Sequence, residues 1–317
     1  MLLTDTAALL IASTKESFES GKAPLEASDL SGRGTLFDSN DVILVTGGAR
    51  GVTADVVRAI ASYGRPRLVL LGRTVLEPIE SAWLAGLEEP GDIKRALLEQ
   101  AQDEDEPVTP REIQERYRRI VGQREIRLTL AELRAAGASV EYLSLDVRDP
   151  RAVERCVKAI SEMHGPITGL IHGAGVLADR LIQDLQVEEW QRVYETKVVG
   201  VRGLLAALAD HPLRGIVLFS SSTARFGRRG QVAYAMANEV LNKIGQRELI
   251  RRRGLHPGVE CRVVSVNWGP WDGGMVDAGL KEIFSSEGVE VVGRENGAQY
   301  LVSELAARGD DVEVMIL

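Results

Sequence analysis

Seven short runs of aliphatic and β-branched residues, separated by stretches of helical character, constrain this chain more than any other feature. They are DVILVTGG (41–48), RLVLLG (67–72), VEYLSLDV (140–147), TGLIHGAG (168–175), GIVLFSSS (215–222), CRVVSVNWG (261–269) and VEVMIL (312–317). Each is almost continuously apolar, as a strand covered by helices on both faces must be. Strands alternating with helices predict an α/β fold: a doubly wound, Rossmann-type parallel sheet of about seven strands with helices on both faces.

Two stretches fall outside this rhythm. Residues 1–40 hold one helix-like segment and a Gly/Ser-containing linker, and read as an N-terminal extension to a domain over 41–317. Residues 74–127 form an insert between the second strand and the helix EIRLTLAELRAAG (125–137). Within it, the acidic run DEDEP (103–107) is followed by TPRE, with Thr109 as N-cap, Pro110 at the first helical position and Glu112 completing a capping box. Ile113, Tyr117, Ile120 and Val121 follow at helical spacing, so the insert is expected to be helical. Its apolar stripe must pack on its own domain, on a second copy in a homo-oligomer, or on a partner domain, the first being the simplest.

Bulk properties exclude several classes. A chain of 317 residues, 44% hydrophobic, can bury a core without disulfides or metals. A net charge of −8 argues against nucleic-acid and anionic-membrane binding. No run approaches the roughly 20 apolar residues of a membrane span. TAALLIAST near the N-terminus is too short and lacks the basic region and cleavage site of a leader. Cys156 and Cys261 lie far apart without metal spacing, which fits a reduced, cytoplasmic interior and no metal site.

VTGGARGVT (45–53) closes the first strand and opens a helix. Thr46, Gly47, Gly48, Arg50, Gly51 and Val52 therefore stand where backbone amides at a helix N-terminus can meet a pyrophosphate. About 20 residues further on, Gly72 and Arg73 occupy the place where an NAD-specific fold carries a carboxylate. A carboxylate there would repel a 2′-phosphate, and a guanidinium can grip it, so NADPH is favoured over NADH. Arg50 can reach the same phosphate; the alternative for either arginine is a solvated surface charge, common for a residue placed like Arg50 and less so for Arg73 at a strand's carboxyl end. Asp146 and Val147, ending the third strand, are candidates for the adenine, with a helix cap as the alternative that Asp149 serves better. His172, Gly173, Ala174 and Gly175 end the fourth strand, where small residues let the backbone pass under the cofactor ribose.

These residues, with GRT, LDVRD, IHGAGVLAD, ETKVVG, FSSSTARFGRRGQVAYAMAN and NWGPWDGGM, resemble the short-chain dehydrogenase/reductase superfamily. More closely, they resemble the ketoreductase domains of polyketide and polyunsaturated fatty acid synthases, over roughly residues 41–317. Ordinary members pair a Tyr with a Lys in Y-x-x-x-K; here YAMAN (234–238) ends in Asn. In the ketoreductase subgroup the Lys and Asn are exchanged, which implies a catalytic tetrad of Lys197, Ser221, Tyr234 and Asn238. Tyr234 would protonate the substrate carbonyl oxygen. Lys197 would lower the Tyr pKa, Ser221 would position the oxygen, and Asn238 would orient Lys197 or a water.

The resemblance further implies NADPH-dependent reduction of a β-ketoacyl thioester held by an acyl carrier protein, among other synthase domains. The alternatives are a free-standing dehydrogenase acting on a diffusible ketone, and a silent nucleotide-binding scaffold. Gly269 and Pro270 would wall the nicotinamide, and MVDAGLKEIFSS reads as a lid helix, with Met275, Leu280 and Phe284 toward substrate. Asp179 matches the last Asp of a Leu-Asp-Asp motif that accompanies D-configured products, although Ala178 breaks its middle position. Phe226 stands where the opposite stereotype carries Trp. Arg225, Arg228 and Arg229 form a basic rim for a phosphopantetheine phosphate or an acidic carrier. Two departures stand out. Thr53 replaces the last Gly of the turn, where it would cap or contact phosphate. Residues 1–40 are too short for the N-terminal subdomain of modular ketoreductases, so the chain reads as a piece of a larger synthase or one whose subdomain is supplied elsewhere.

Overall fold

The computed structural model describes residues 36–103, 107–255, 260–273, 278–286, 288–307 and 309–317. All seven apolar runs form strands: β1 (Val42–Thr46), β2 (Arg67–Gly72), β3 (Ser139–Ser144), β4 (Gly169–His172), β5 (Gly215–Ser221), β6 (Arg262–Trp268) and β7 (Glu313–Ile316). They make one parallel sheet in the order β3-β2-β1-β4-β5-β6-β7. The chain reverses its winding between β1 and β4, and a crevice opens beyond the carboxyl ends of those strands.

The side-chain period of two sorts each strand between two cores. Ile43, Val45, Leu68 and Leu70 pack with α1 (Gly51–Gly64), α3 (Pro110–Ala135) and α9 (Arg294–Ala306). Val42, Leu44, Val69 and Leu71 pack on the other face with α4 (Pro150–His164) and α6 (Gly200–Ala207). The other α-helices of eight or more residues are α2 (Pro90–Asp103), α5 (Val187–Tyr194), α7 (Val232–Leu255) and α8 (Ala278–Ser286).

Two boundaries differ from expectation. Phe37, placed in the linker, is buried in the core over Gly169 and Gly215, where any side chain would collide with its ring. One aromatic in a Gly/Ser-rich segment carries no periodic signal, so its docking is invisible in sequence. The helix of the insert and the helix before β3 are continuous, because nothing between Val121 and Glu125 breaks α3. Gly122 lies mid-helix, and a Cβ there would stand 2.8 Å from Arg50 Nη1.

The capping box at Thr109 and Glu112 is formed, with Glu112 N–H donating to Thr109 Oγ1 at 3.3 Å and Thr109 N–H to Glu112 Oε2 at 2.7 Å. The insert's stripe packs within the insert: Ile113, Tyr117 and Ile120 join Leu84, Ile93 and Leu97, all between residues 74 and 127, in a satellite core separate from the main ones. The first 35 residues, including TAALLIAST, lie outside the described residues. No helix among the described residues is long and apolar enough to cross a membrane. Thr109→Ala should cost about 1 kcal/mol, seen as faster amide exchange over the first turns of α3 with the β-sheet amides unchanged.

Candidate active site

A single cleft of about 2480 Å³ runs across the carboxyl edge of the sheet. At one end the turn after β1 is shaped for an anion. Gly47 has φ 73°, and a Cβ there would sit 3.0 Å from the Gly173 backbone. The α1 N-cap, Arg50, is extended, offers no side-chain cap, and no acid lies in the first turn. The first N–H groups of α1 are thus left for a ligand. Thr53 is buried against Gly173, where a Cβ would meet its Oγ1 at 2.2 Å. The close helix–strand approach is kept with the small residue moved to β4, which accounts for Thr at a glycine position.

Gly51, Val52, Gly72, Arg73, Asp146, Val147, Gly173, Ala174, Gly175, Gly269 and Pro270 line this cleft, as read from sequence. Thr46, Gly48 and His172 do not. Gly48 packs on Val45 of β1, and the other two turn inward. Arg73 is exposed and enters no ion pair among the described residues. Arg50 is paired with Glu125 of α3. Asp146 is held by Arg148, whose hydrogen bonds of 2.6–3.1 Å keep its carboxyl below the usual range. The helix cap is Asp149, whose Oδ1 accepts from Arg151 and Ala152 N–H, both at 3.0 Å.

At the other end the strand and helix ends bring Lys197, Ser221 and Tyr234 to one wall. Lys197 lies in a π-helical turn, Glu195–Val199, that joins α5 to α6. Such a bulge inserts a residue into the helical ladder and re-aims its side chain. Lys197 is 3% exposed, and its Nζ donates to Phe219 O at 2.7 Å. Burial lowers its pKa from 10.5 to about 7. Gly175 makes the space: a Cβ there would stand 3.0 Å from Lys197 Cε. Nζ lies 5.5 Å from the Tyr234 ring centroid.

Tyr234 is not tuned as expected. Burial, the largest influence, raises its pKa, against hydrogen bonds from Asn238 and Ser221 that lower it. Lys197 Nζ donates its hydrogen bond to the Phe219 carbonyl instead. The phenol therefore stays protonated through neutral pH.

Asn238 sits behind Tyr234, fully buried, with Nδ2 donating to Tyr234 O at 2.9 Å. Its Oδ1 is buried without a partner among the described residues, an acceptor suited to an ammonium or a water. The neighbouring serines 220 and 221 also separate. Ser220 Oγ bonds to Asn238 O and Asn267 Oδ1 at 3.1 and 3.0 Å, whereas Ser221 Oγ meets Thr223 Oγ1 and accepts from Thr223 N–H at 3.2 Å.

His172 and Thr46, read from sequence as cofactor residues, form a buried hydrogen-bond chain beneath Lys197. Thr46 pairs with His172 across β1 and β4. The Lys197 carbonyl can only accept, so His172 Nε2 carries the proton at 3.0 Å. Nδ1 then accepts from the Thr46 hydroxyl at 2.8 Å, and Thr46 Oγ1 accepts from Ala174 N–H at 3.2 Å. Burial and then Lys197 push the His172 pKa down to about 3, so it is neutral throughout. The signal available in sequence was a polar residue at the end of each of two strands that prove to be neighbours.

Around the mouth, Asp179 Oδ2 accepts from Gln231 Nε2 at 2.9 Å, and Arg180 N–H donates to Gly230 O at 2.8 Å, joining two loops. The basic rim is mostly engaged. Arg225 pairs with Glu239 and Glu313, and the Arg228 guanidinium stacks 4.3 Å from the Phe284 ring centroid, tying the loop to α8. Arg229 is exposed. Leu280, Phe284 and Phe226 line the cleft; Met275 lies outside the described residues.

A family model described as a KR domain matches residues 42–273. The chain is 37% identical over 284 residues to a subunit of the polyunsaturated fatty acid synthase of Thraustochytrium sp., covering 87% of this chain and 10% of that one. It is 31% identical over 267 residues to polyketide synthase PksL of Bacillus subtilis, covering 83% of this chain and 5% of the synthase. The chain thus spans a small part of the curated relatives it matches. Among solved structures, a ketoreductase domain from the bacillaene assembly line superposes with a TM-score of 0.66 at 26% identity, covering 89% of this chain and 57% of that one.

The burial of Lys197 has a measurable signature. Between pH 7 and the ordinary Lys value of 10.5 the unfolded chain holds a proton that the folded chain has released, so this residue makes stability rise with pH. In urea unfolding at pH 7, 8 and 9, the wild type should gain stability relative to Lys197→Met, and parallel pH profiles would contradict the assignment.

Proposed function

The chain belongs to the KR domain family, the ketoreductase domains of polyketide synthases within the short-chain dehydrogenase/reductase superfamily, and on that premise we propose that it reduces a carrier-bound β-ketoacyl thioester to the 3-hydroxyacyl thioester with NADPH. The observation that carries this reading is the convergence of Lys197, Ser221 and Tyr234 on a cleft whose far end presents an uncapped helix N-terminus and Arg73. In this reading residues 41–317 are the catalytic domain, 74–127 its helical insert, and the carrier and other synthase domains its partners.

The residues fit a nicotinamide dinucleotide. Gly47, Gly51 and the first amides of α1 would hold the pyrophosphate, and Gly173 to Gly175 would let the ribose pass close to the backbone. Arg73, with no carboxylate at its place, supports NADPH. Gly269 and Pro270 would wall the nicotinamide, whose chemistry when bound is hydride donation to the substrate's carbonyl carbon.

The remaining chemistry belongs to the chain. The Ser221 hydroxyl donates to the ketone oxygen and fixes the carbonyl. Tyr234, held neutral by burial, gives its phenolic proton to that oxygen as charge develops there, leaving a phenolate. The Lys197 ammonium, close to the ring, stabilises the phenolate and can return a proton to it, with the unpaired Asn238 Oδ1 holding the ammonium or a bridging water. This fits the exchanged placement of Lys and Asn.

The test is NADPH consumption with a β-ketoacyl thioester. Tyr234→Phe should lower kcat/KM by about 10²–10⁴-fold while NADPH affinity stays within a few-fold; full retention of turnover would remove Tyr234 from its assigned role.

A further inference from the structure

Helix α3 is far longer than the sheet it covers. Its 26 residues span about 39 Å, against about 20 Å for a six-residue strand such as β3. The lower half is anchored in the core by Ile126, Leu130 and Leu133. The upper half therefore projects beyond the carboxyl edge of the sheet, on the β2 and β3 side where Arg73 and Asp146 stand.

One face of this projection forms part of the cleft. The projecting half lines it with Glu115, Arg118, Arg119 and Gln123, at helical spacing, and the anchored half with Glu125, Ile126, Leu128 and Thr129. Gly122 shares that face and touches Arg50 of the phosphate turn. Arg118 and Arg119 stand one turn N-terminal to Gly122, which lies against Arg50 of the turn before α1.

Their charge is free for a ligand. Arg118 and Arg119 enter no ion pair among the described residues. Glu115, four positions from both Arg111 and Arg119, bonds to Arg111 at 3.0 Å. Glu125 is taken by Arg50 and Asp146 by Arg148; Glu77 is the remaining carboxylate on this rim. An acidic chain thus gathers the unpaired cations Arg73, Arg118 and Arg119 at one end of one cleft.

We propose that the projecting half of α3 is a nucleotide clamp, in which Arg118 and Arg119 close over the 2′-phosphate of the dinucleotide from the side opposite Arg73. The satellite core of α2 and α3 holds the clamp rigid, and Arg124 and Arg127 tie it to the segment after β2. Arg124 donates to Leu84 O at 3.1 Å and Arg127 to Glu77 O at 2.9 Å. The proposal rests on the NADPH reading above and deepens it by giving the insert a task.

Calorimetric titration with 2′,5′-ADP and ADP separates the two. Wild type should bind 2′,5′-ADP the more tightly. The Arg118→Ala/Arg119→Ala variant should lose about tenfold for 2′,5′-ADP and NADPH and under twofold for ADP and NADH, with a shallower salt dependence. Arg134→Ala, lower on the same helix, should change neither. A preference for 2′,5′-ADP that disappears in Arg73→Ala but survives in the double variant overturns the clamp and leaves the NADPH reading standing. Equal binding of both probes by wild type overturns the NADPH reading and the clamp with it. The exposed positions leave the fold intact, checked by an unchanged thermal midpoint.

Discussion

One lysine buried under the carboxyl edge of a parallel sheet sets much of the local architecture. An ammonium taken out of water is costly unless donors and acceptors meet it, and Lys197 is 3% exposed. The surrounding choices serve that residue. The π turn aims it, Gly175 clears its path, the Phe219 carbonyl receives its proton, and neutral His172 grips its backbone without adding a second charge. A charged imidazole at this distance would repel the ammonium, so the depressed His172 pKa belongs to the same arrangement.

The two ends of the cleft obey different physics. At the Tyr234 end, polar groups are buried and mostly paired, with Asn238 Oδ1 an acceptor without a partner among the described residues and the Tyr234 pKa raised by burial. At the α1 end, charges are exposed and gather by long-range arrangement around the uncapped helix start. The first end tolerates little change in geometry. The second can be built from a side chain on any element that overhangs it, including an inserted helix.

What could be read in the sequence follows from the range of the interactions. Near-continuous apolar runs report burial on two faces, so all seven strands were legible, as were the capping box of α3 and the Asp149 cap, which are local. The continuity of α3 was missed because the insert and the helix before β3 were read as separate segments, although nothing between Val121 and Glu125 breaks the helix. The engagement of Arg225 by Glu313 and of Arg228 by Phe284 joins residues distant in sequence, so three arginines read as a free rim were mostly committed. Thr46 and His172 sit in motifs that suggest the cofactor. Their side chains turn inward because paired strand ends place them on a common buried side, a matter of register that spacing cannot report.

The exchange of Lys and Asn is intelligible in the same terms. Position 238 is fully buried on α7, with Ser220, Asn267 and Asn242 forming a neutral amide and hydroxyl network around it. An ammonium there would find donors competing with it and few carbonyls to receive it. An amide can satisfy Tyr234 O with one end and keep Oδ1 as a buried acceptor behind Tyr234 with the other. Position 197 is the reverse: a π turn beside the β5 backbone supplies a carbonyl at 2.7 Å and a path walled by glycine. The lysine thus suits the helix after β4, and the amide suits α7.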